Sequence, residues 1–188
     1  LVLLEDCAAS LDDQGKRSLK KVRDAAQYKA QLIANLLTLS RVGPPDLRSE
    51  EVDLSALARE TAARLQASQP SRQVRFDIES GLGSRGDGRM LGILFENLIG
   101  NAWKFTGRKN DARIEVGRTD QQGSPAYFVR DNGAGFDMAY AAKLFGVFPR
   151  LHAAHEFEGI GIGLATVQRI VRRHVGRVWA HREVGRGA

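Results

Sequence analysis

NLIGNAWKFT, running from Asn97 to Thr106, is the stretch on which the reading of this chain turns. On a helix through residues 91–105, steps of roughly 100° per residue put Asn97, Asn101 and Lys104 within about 60° of one another. Leu91, Leu94, Phe95, Leu98 and Ala102 cluster to one side of that polar line. The helix can therefore bury its apolar face while the line borders the core, where a pocket wall belongs. Asparagine carbonyls and waters suit Mg²⁺, and the Lys104 ammonium suits phosphate oxygens as a point charge. Alone, the same pattern also describes an ordinary solvated helix face.

Three further motifs follow in order: DNGAGFD from Asp131, LFGVFPRLH from Leu144 and GIGIGLA from Gly159. Asp131 follows the apolar run YFV with only Arg130 between them, and a carboxylate fixed at a strand end can accept a hydrogen bond from an exocyclic amine such as N6 of adenine. Gly133 and Gly135 let backbone approach a flat ring where a Cβ would intrude, although Asp-Asn-Gly is also good turn chemistry. Gly159, Gly161 and Gly163 precede a helix beginning near Leu164, whose free amides and positive end favour phosphate. A lone G-x-G-x-G is weak, and without a Lys-Ser or Lys-Thr ending it is not a P-loop. Between the glycine segments, Leu144, Phe145 and Phe148 most simply pack, leaving Arg150 and His152 as charge partners for a polyphosphate. Residues 152–158 are short and polar enough to form a mobile cover. Together the motifs describe one nucleotide pocket.

Outward from this region, residues 45–188 are expected to form one α/β sandwich, a mixed sheet with helices on one face. Asp53 opens a helix over Leu54 to Ala67, and a second runs from about Asp87 to Phe105. Val74, Phe76 and Ile78 alternate as a strand; Ile114 with Val116, Tyr127 to Val129, and Val178 to Ala180 give others. Leu164 to His174 is a further helix. Upstream, Lys16 to Ser40 lacks Gly and Pro and carries Leu19, Val22, Ala26, Ile33 and Leu36 at helical spacing, with Lys29 interrupting the stripe. LVLLED is expected to end a preceding helix, with SLDDQG as the turn between them. Residues 1–44 thus form a helical hairpin. Two copies pairing into a four-helix bundle would bury its stripe, and packing on the rest of the same chain is the alternative. Val42-Gly-Pro-Pro ends the helix and opens a linker, so the domain boundary falls near residue 44. The overall class is α+β.

Composition narrows the function. The chain has 188 residues, 43% of them hydrophobic, which suffices for an ordinary core. The net charge is +6, but Lys and Arg are scattered and no basic-aromatic block stands out, so nucleic acid is not the expected partner. The balance suits ATP or an acidic partner. Cys7 is the only cysteine, which precludes an intrachain disulfide and fits a cytoplasmic setting. No apolar run approaches the roughly 20 residues of a membrane span, so no membrane contact is expected. Residue 1 is Leu and no cleavable signal pattern follows, as expected of a piece of a longer chain.

The order asparagine box, first glycine box, phenylalanine box, second glycine box resembles the catalytic ATP-binding domain of sensor histidine kinases. That superfamily also includes gyrase, heat-shock chaperone ATPases and mismatch-repair ATPases. NLIGNAWKFT, FGVFPRLH and FEGIGIGLATVQRIVRRH look like the phytochrome-type branch, and residues 1–44 resemble its dimerisation and phosphotransfer hairpin. The resemblance implies that Asn101 coordinates Mg²⁺ with help from Asn97, that Lys104 touches phosphate and that Phe105 lines the pocket. Asp131 would read adenine beside Gly133 and Gly135. Arg150 would approach the terminal phosphate, and Gly161, Gly163 and Leu164 would hold the lid and phosphates. Asn97, Lys104 and Arg150 are thus the expected catalytic residues. Hydrolytic relatives place a general-base Glu where Asn97 stands, and Glu96 points about 100° away, which favours phosphoryl transfer to a protein group over hydrolysis.

The resemblance further implies a homodimer through the hairpin, an upstream sensor domain, and relay to a response-regulator aspartate. It also has departures. No histidine precedes His152, so the phosphoacceptor of the hairpin is missing, and His152, His155, His174 and His181 stand in or after the lid. Ile160 replaces a small hydroxyl residue, Pro149 sits within the phenylalanine box, and relatives continue beyond Ala188 into one more strand. The expected behaviour is ATP binding without autophosphorylation. A degenerate nucleotide-binding module, a hydrolysing ATPase and a nucleic-acid-binding protein are the rivals.

Overall fold

The computed structural model describes residues 12–41, 47–121, 123–146, 161–181 and 187–188. Helix α1 spans Asp13–Arg41. It starts inside the segment expected as a turn because the Asp12 carboxylate accepts the Gly15 N–H at 2.7 Å, which makes DDQG a helix start. Val22 and Ile33 of its apolar stripe are exposed. The preceding LVLLED helix, the Val42–Pro45 linker and the boundary near residue 44 lie outside the described residues, as does the hairpin they would complete.

From residue 50 the order is β1 (Glu50–Asp53), α2 (Leu54–Ser68), β2 (Arg75–Ile78), β3 (Gly83–Gly86), α3 (Gly88–Phe105), β4 (Arg113–Gln121), β5 (Ser124–Asp131), a short 3₁₀ turn (Met138–Lys143) and α4 (Gly163–Arg173). Caps set the starts of the two central helices. Asp53 accepts the Ala56 N–H at 2.8 Å and Asp87 accepts the Met90 N–H at 3.0 Å, each satisfying one orphan amide of a first turn.

In place of the expected single sheet, the strands of the described residues fall into two. β2, β4 and β5 form a mixed sheet in the order β2-β4-β5, with β2 parallel and β5 antiparallel to β4. β1 and β3 pair separately and antiparallel. EEVD and GSRG offer almost no apolar alternation, so this ribbon has little to bury against the main sheet. Val178–Ala180, expected as a strand, has no ladder partner among the described residues, and Trp179 is exposed there.

Helices cover one face of the main sheet. Leu54, Ala58, Phe95, Ile99 and Val116 form one buried cluster, and Ala102, Trp103 and Ile114 form another with Phe76 and Val129 against it. Ile99 and Ile114 are fully buried, and each such side chain contributes about 1.5–3 kcal/mol. The opposite face is an ion-pair ladder. Arg75 and Arg113 flank Asp77 at 3.0 and 2.7 Å and hold its carboxyl below the ordinary value by hydrogen bonding. Glu115 bridges Arg113 and Arg130. Exposed pairs of this kind add little stability, but they keep that face in water.

Candidate functional site

Register places Asp131. Along β5 the side chains alternate, so Val129 opposite Val116 and Asp131 opposite Ile114 share the inner, helix-covered face. Asp131 is 9% exposed, and burial pushes its carboxyl up from 3.8 to about 6, partly offset by a 2.8 Å hydrogen bond from the Gly133 N–H. Its backbone is held as well: Asp131 N–H donates to the Ala188 carbonyl at 2.8 Å and Ala188 N–H returns a bond at 3.2 Å. Asn132 ties the strand end to β4, accepting the Arg113 N–H and donating to the Asp111 carbonyl.

The loop after Asp131 seats on the end of α3. Ala134 N–H donates to the Phe105 carbonyl at 3.2 Å, and a Cβ at Gly133 would stand 2.5 Å from that carbonyl oxygen. Only glycine fits this approach. Gly135 follows with φ 66°, and Gly161 has φ 75°.

The other wall is α3 itself. Asn97 Nδ2 donates to the Ile93 carbonyl at 2.7 Å. A Cβ at Gly163 would meet Asn97 Oδ1 at 2.6 Å and Asn101 Nδ2 at 3.9 Å, so the two asparagines face the first residue of α4. Among the described residues no side chain caps α4, which begins after the buried Ile162. Its first-turn amides are thus the orphan donors and positive dipole end of a helix start, beside two amide side chains. The Lys104 ammonium lies 4.2 Å over the Phe105 ring.

The structure therefore brings Asn97 and Asn101 together with Gly163, and Asp131 together with Gly133 and Phe105, on the two sides of the α3 C-terminal half. Arg150, with Phe148, Pro149, His152, His155, Gly159, Ile160 and the cover over 152–158, lies outside the described residues. Glu96 is turned away: it pairs with Arg64 at 2.7 Å on the exposed side of α3. A cleft of about 530 Å³ between Phe145, Gly146 and the Gln168, Arg169, Arg172 and Arg173 side of α4 contains none of the predicted site residues.

Two participants were not among the expected site residues. His174 joins the far ends of the helices, its Nε2 accepting the Asp87 N–H at 3.0 Å and its Nδ1 lying 2.8 Å from the Ile170 carbonyl. Gly86 makes room for it, since a Cβ there would come within 2.8 Å of the ring. Arg72, from the loop before β2, donates to the Trp103 carbonyl at 2.6 Å and to Thr106 Oγ1 at 2.9 Å. Arg72 lies outside the motifs and His174 is the last residue of FEGIGIGLATVQRIVRRH, but the contact of each with α3 or its cap spans too much sequence for local patterning to foretell.

With this geometry in place, the comparisons are consistent. Residues 86–188 match the family described as histidine kinase-, DNA gyrase B-, and HSP90-like ATPase. The chain belongs to that family and carries the ATP-binding domain of the histidine kinase type. It is 33% identical over 186 residues to the methanogenesis regulatory histidine kinase FilI of Methanothrix harundinacea, covering 98% of this chain and 21% of that protein. It is 32% identical over 189 residues to cyanobacterial phytochrome B of Nostoc sp., covering 99% and 25%. The chain thus spans a quarter or less of the length of these two relatives. Among solved structures, full-length ShkA in complex with AMPPNP aligns with TM-score 0.66 at 23% identity, covering 92% of this chain and 37% of that one. The mycobacterial sensor histidine kinase MprB aligns with TM-score 0.57 at 22% identity, covering 70% and 83%. These likenesses bear out the fold of the catalytic domain and the phytochrome-like character of the motifs. No helix among the described residues is long and apolar enough to cross a membrane.

Proposed function

We propose that this chain is the cytoplasmic transmitter portion of a two-component sensor histidine kinase. It binds Mg-ATP between α3, β5 and the start of α4 and donates the γ-phosphoryl group to a histidine on a dimerisation hairpin, for relay to a response-regulator aspartate. The observation that carries this is the convergence of Asn97 and Asn101 on Gly163 at a helix start without a side-chain cap, next to a wall that buries Asp131.

The donor set fits Mg²⁺. Two amide side chains leave several positions for water and phosphate, as an ion that dehydrates reluctantly requires. Asn101 and Asn97 would hold it, and the bond from Asn97 Nδ2 to Ile93 leaves Oδ1 on the Gly163 side. When bound, Mg²⁺ neutralises charge on the β- and γ-phosphates. Lys104, Arg150 and the amides at Gly161, Gly163 and Leu164 add donors for the phosphates. At the other end, the Asp131 carboxylate accepts the N6 amine of adenine, with Gly133, Gly135 and Phe105 shaping the wall.

Two features favour transfer over hydrolysis. Asn97 cannot act as a general base, and Glu96 is committed to Arg64 on the outer side of α3. Nor does His174 offer a free nitrogen, because both ring nitrogens are engaged between α3 and α4. On this reading the acceptor is the hairpin histidine, which this sequence lacks before His152.

Calorimetric titration tests the pocket. ATP should bind only with Mg²⁺ present, GTP should bind worse, and Asn101→Ala should cost about tenfold or more in affinity, about 1.4 kcal/mol. Equal binding of ATP in EDTA, or unchanged affinity in Asn101→Ala, would remove these residues from the metal site.

A further inference from the structure

Every helix end leaves carbonyls to be satisfied, and at α3 they are satisfied by four different partners. Ala102 O accepts Thr106 N–H and Oγ1, and Lys104 O accepts Gly107 N–H. Phe105 O accepts Ala134 N–H. Trp103 O accepts Thr106 Oγ1 at 3.0 Å and Arg72 Nη2 at 2.6 Å. Arg72 is the charged member of this set and comes from a different part of the fold.

Its grip is built from both sides. The guanidinium lies 4.1 Å over the Trp103 ring, which also stacks with the Phe76 ring at 6.0 Å and 9°. A planar cation can stack and fork its hydrogen bonds at once. The Arg72 backbone is anchored to α2, since its N–H donates to Gln69 O at 3.1 Å and its carbonyl accepts Gln66 Nε2 at 2.5 Å. Thr106, which receives the second Arg72 bond, is fully buried.

The turn so fixed carries both walls of the pocket. Asn101 and Lys104 project from it, and the Asp131–Gly133 loop seats on its Phe105 carbonyl with no room for a Cβ. A displacement of this turn moves the metal side and the base side together.

From this, resting on the nucleotide-site reading above, we propose that Arg72 is a positioning residue for the nucleotide pocket: it latches the C-terminal turn of α3 against α2 and so holds the adenine wall at the depth the base requires. It touches no ligand itself. Its action runs through Trp103, Thr106 and the Phe105 carbonyl.

The test compares Arg72→Ala with Leu82→Ala in the 188-residue chain, at a temperature where melting curves show both folded. Leu82 is buried in the cluster around Phe95, apart from Trp103, and its truncation supplies a destabilised control. Arg72→Ala should weaken Mg-ATP binding about tenfold and narrow the preference for ATP over GTP, whereas Leu82→Ala should stay within about twofold of wild type. Arg72→Lys, which keeps the charge but not the fork, should recover part of the loss. Hydrogen exchange at the Ala134 amide should accelerate in Arg72→Ala and not in Leu82→Ala. This second readout needs no ligand, so it separates the latch from the functional reading: a wild-type chain that binds no ATP overturns the latter alone. Unchanged exchange at Ala134 in Arg72→Ala, or equal loss of affinity in Leu82→Ala, overturns the proposal. If Arg72→Ala does not fold, Arg72→Lys carries the same comparison, and wild-type exchange and affinity in it would overturn the fork requirement and with it the proposal.

Discussion

Asp131 shows how one residue carries opposed demands. Its carboxyl is buried on the inner face of β5, and burial raises it from 3.8 to about 6. Between those two values the folded form binds more protons than the unfolded one, so stability falls as pH rises through about 6. At neutral pH the buried carboxylate costs about 3 kcal/mol relative to its protonated form. A neutral amide of the same shape escapes that cost and can still accept the Gly133 N–H. Asp131→Asn should therefore melt higher than wild type at pH 7.5, by up to about 3 kcal/mol, with the difference closing near pH 4. Nucleotide affinity should fall in the same variant, because the amide is the weaker acceptor for an exocyclic amine. Parallel melts at the two pH values and an ATP titration check both halves. A wild type more stable than the variant at pH 7.5 would assign Asp131 a structural partner instead.

At the scale of elements, the pocket is a meeting of two helices. α3 is positioned by Asp87 at its start and by Thr106, Arg72 and the Asp131 loop at its end; α4 is pinned to the α3 start through His174. The close approach of α4 to α3 depends on Gly163. Alanine there would place a Cβ 2.6 Å from Asn97 Oδ1 and turn that amide aside. Because alanine also favours helix by up to about 1 kcal/mol over glycine, Gly163→Ala should retain or gain thermal stability while losing about tenfold or more in Mg-ATP affinity. Thermal melts and calorimetry on one preparation decide this. Lost stability with intact affinity would mean that Gly163 serves packing and not the site. α2 and α3 were legible in sequence because their periodicity and their Asp caps agree, and α4 and the strands of the main sheet from their periodicity alone. β1 and β3 were not, since EEVD and GSRG form a ribbon through backbone pairing that leaves no side-chain pattern. RVWA misled in the other direction: apolar alternation describes a strand, but no partner strand stands beside it among the described residues.

At the scale of the whole molecule, the residues named from the motifs and the surfaces that place them come from different kinds of information. Asn97, Asn101, Asp131, Gly133 and Gly163 were readable because each needs a particular side chain, or none, at a particular point. Arg72, His174 and the Phe105 carbonyl were not, because their contribution is made across the fold or through backbone, where residue type leaves no trace. On the proposed reading the asparagines serve as ligands and neither neighbour serves as a general base: Asn97 is an amide, and Glu96 is held by Arg64. The proposed function is that of a phosphoryl donor whose acceptor lies on a partner segment. The most direct measurement incubates the chain with Mg²⁺, γ-labelled ATP and a dimerisation hairpin bearing the histidine that this sequence lacks, and follows where the label goes. Acid-labile, base-stable label on the added hairpin, with none on the chain and no multiple-turnover release of phosphate, is the predicted result. Label on the chain itself, or sustained phosphate release without transfer, would contradict it.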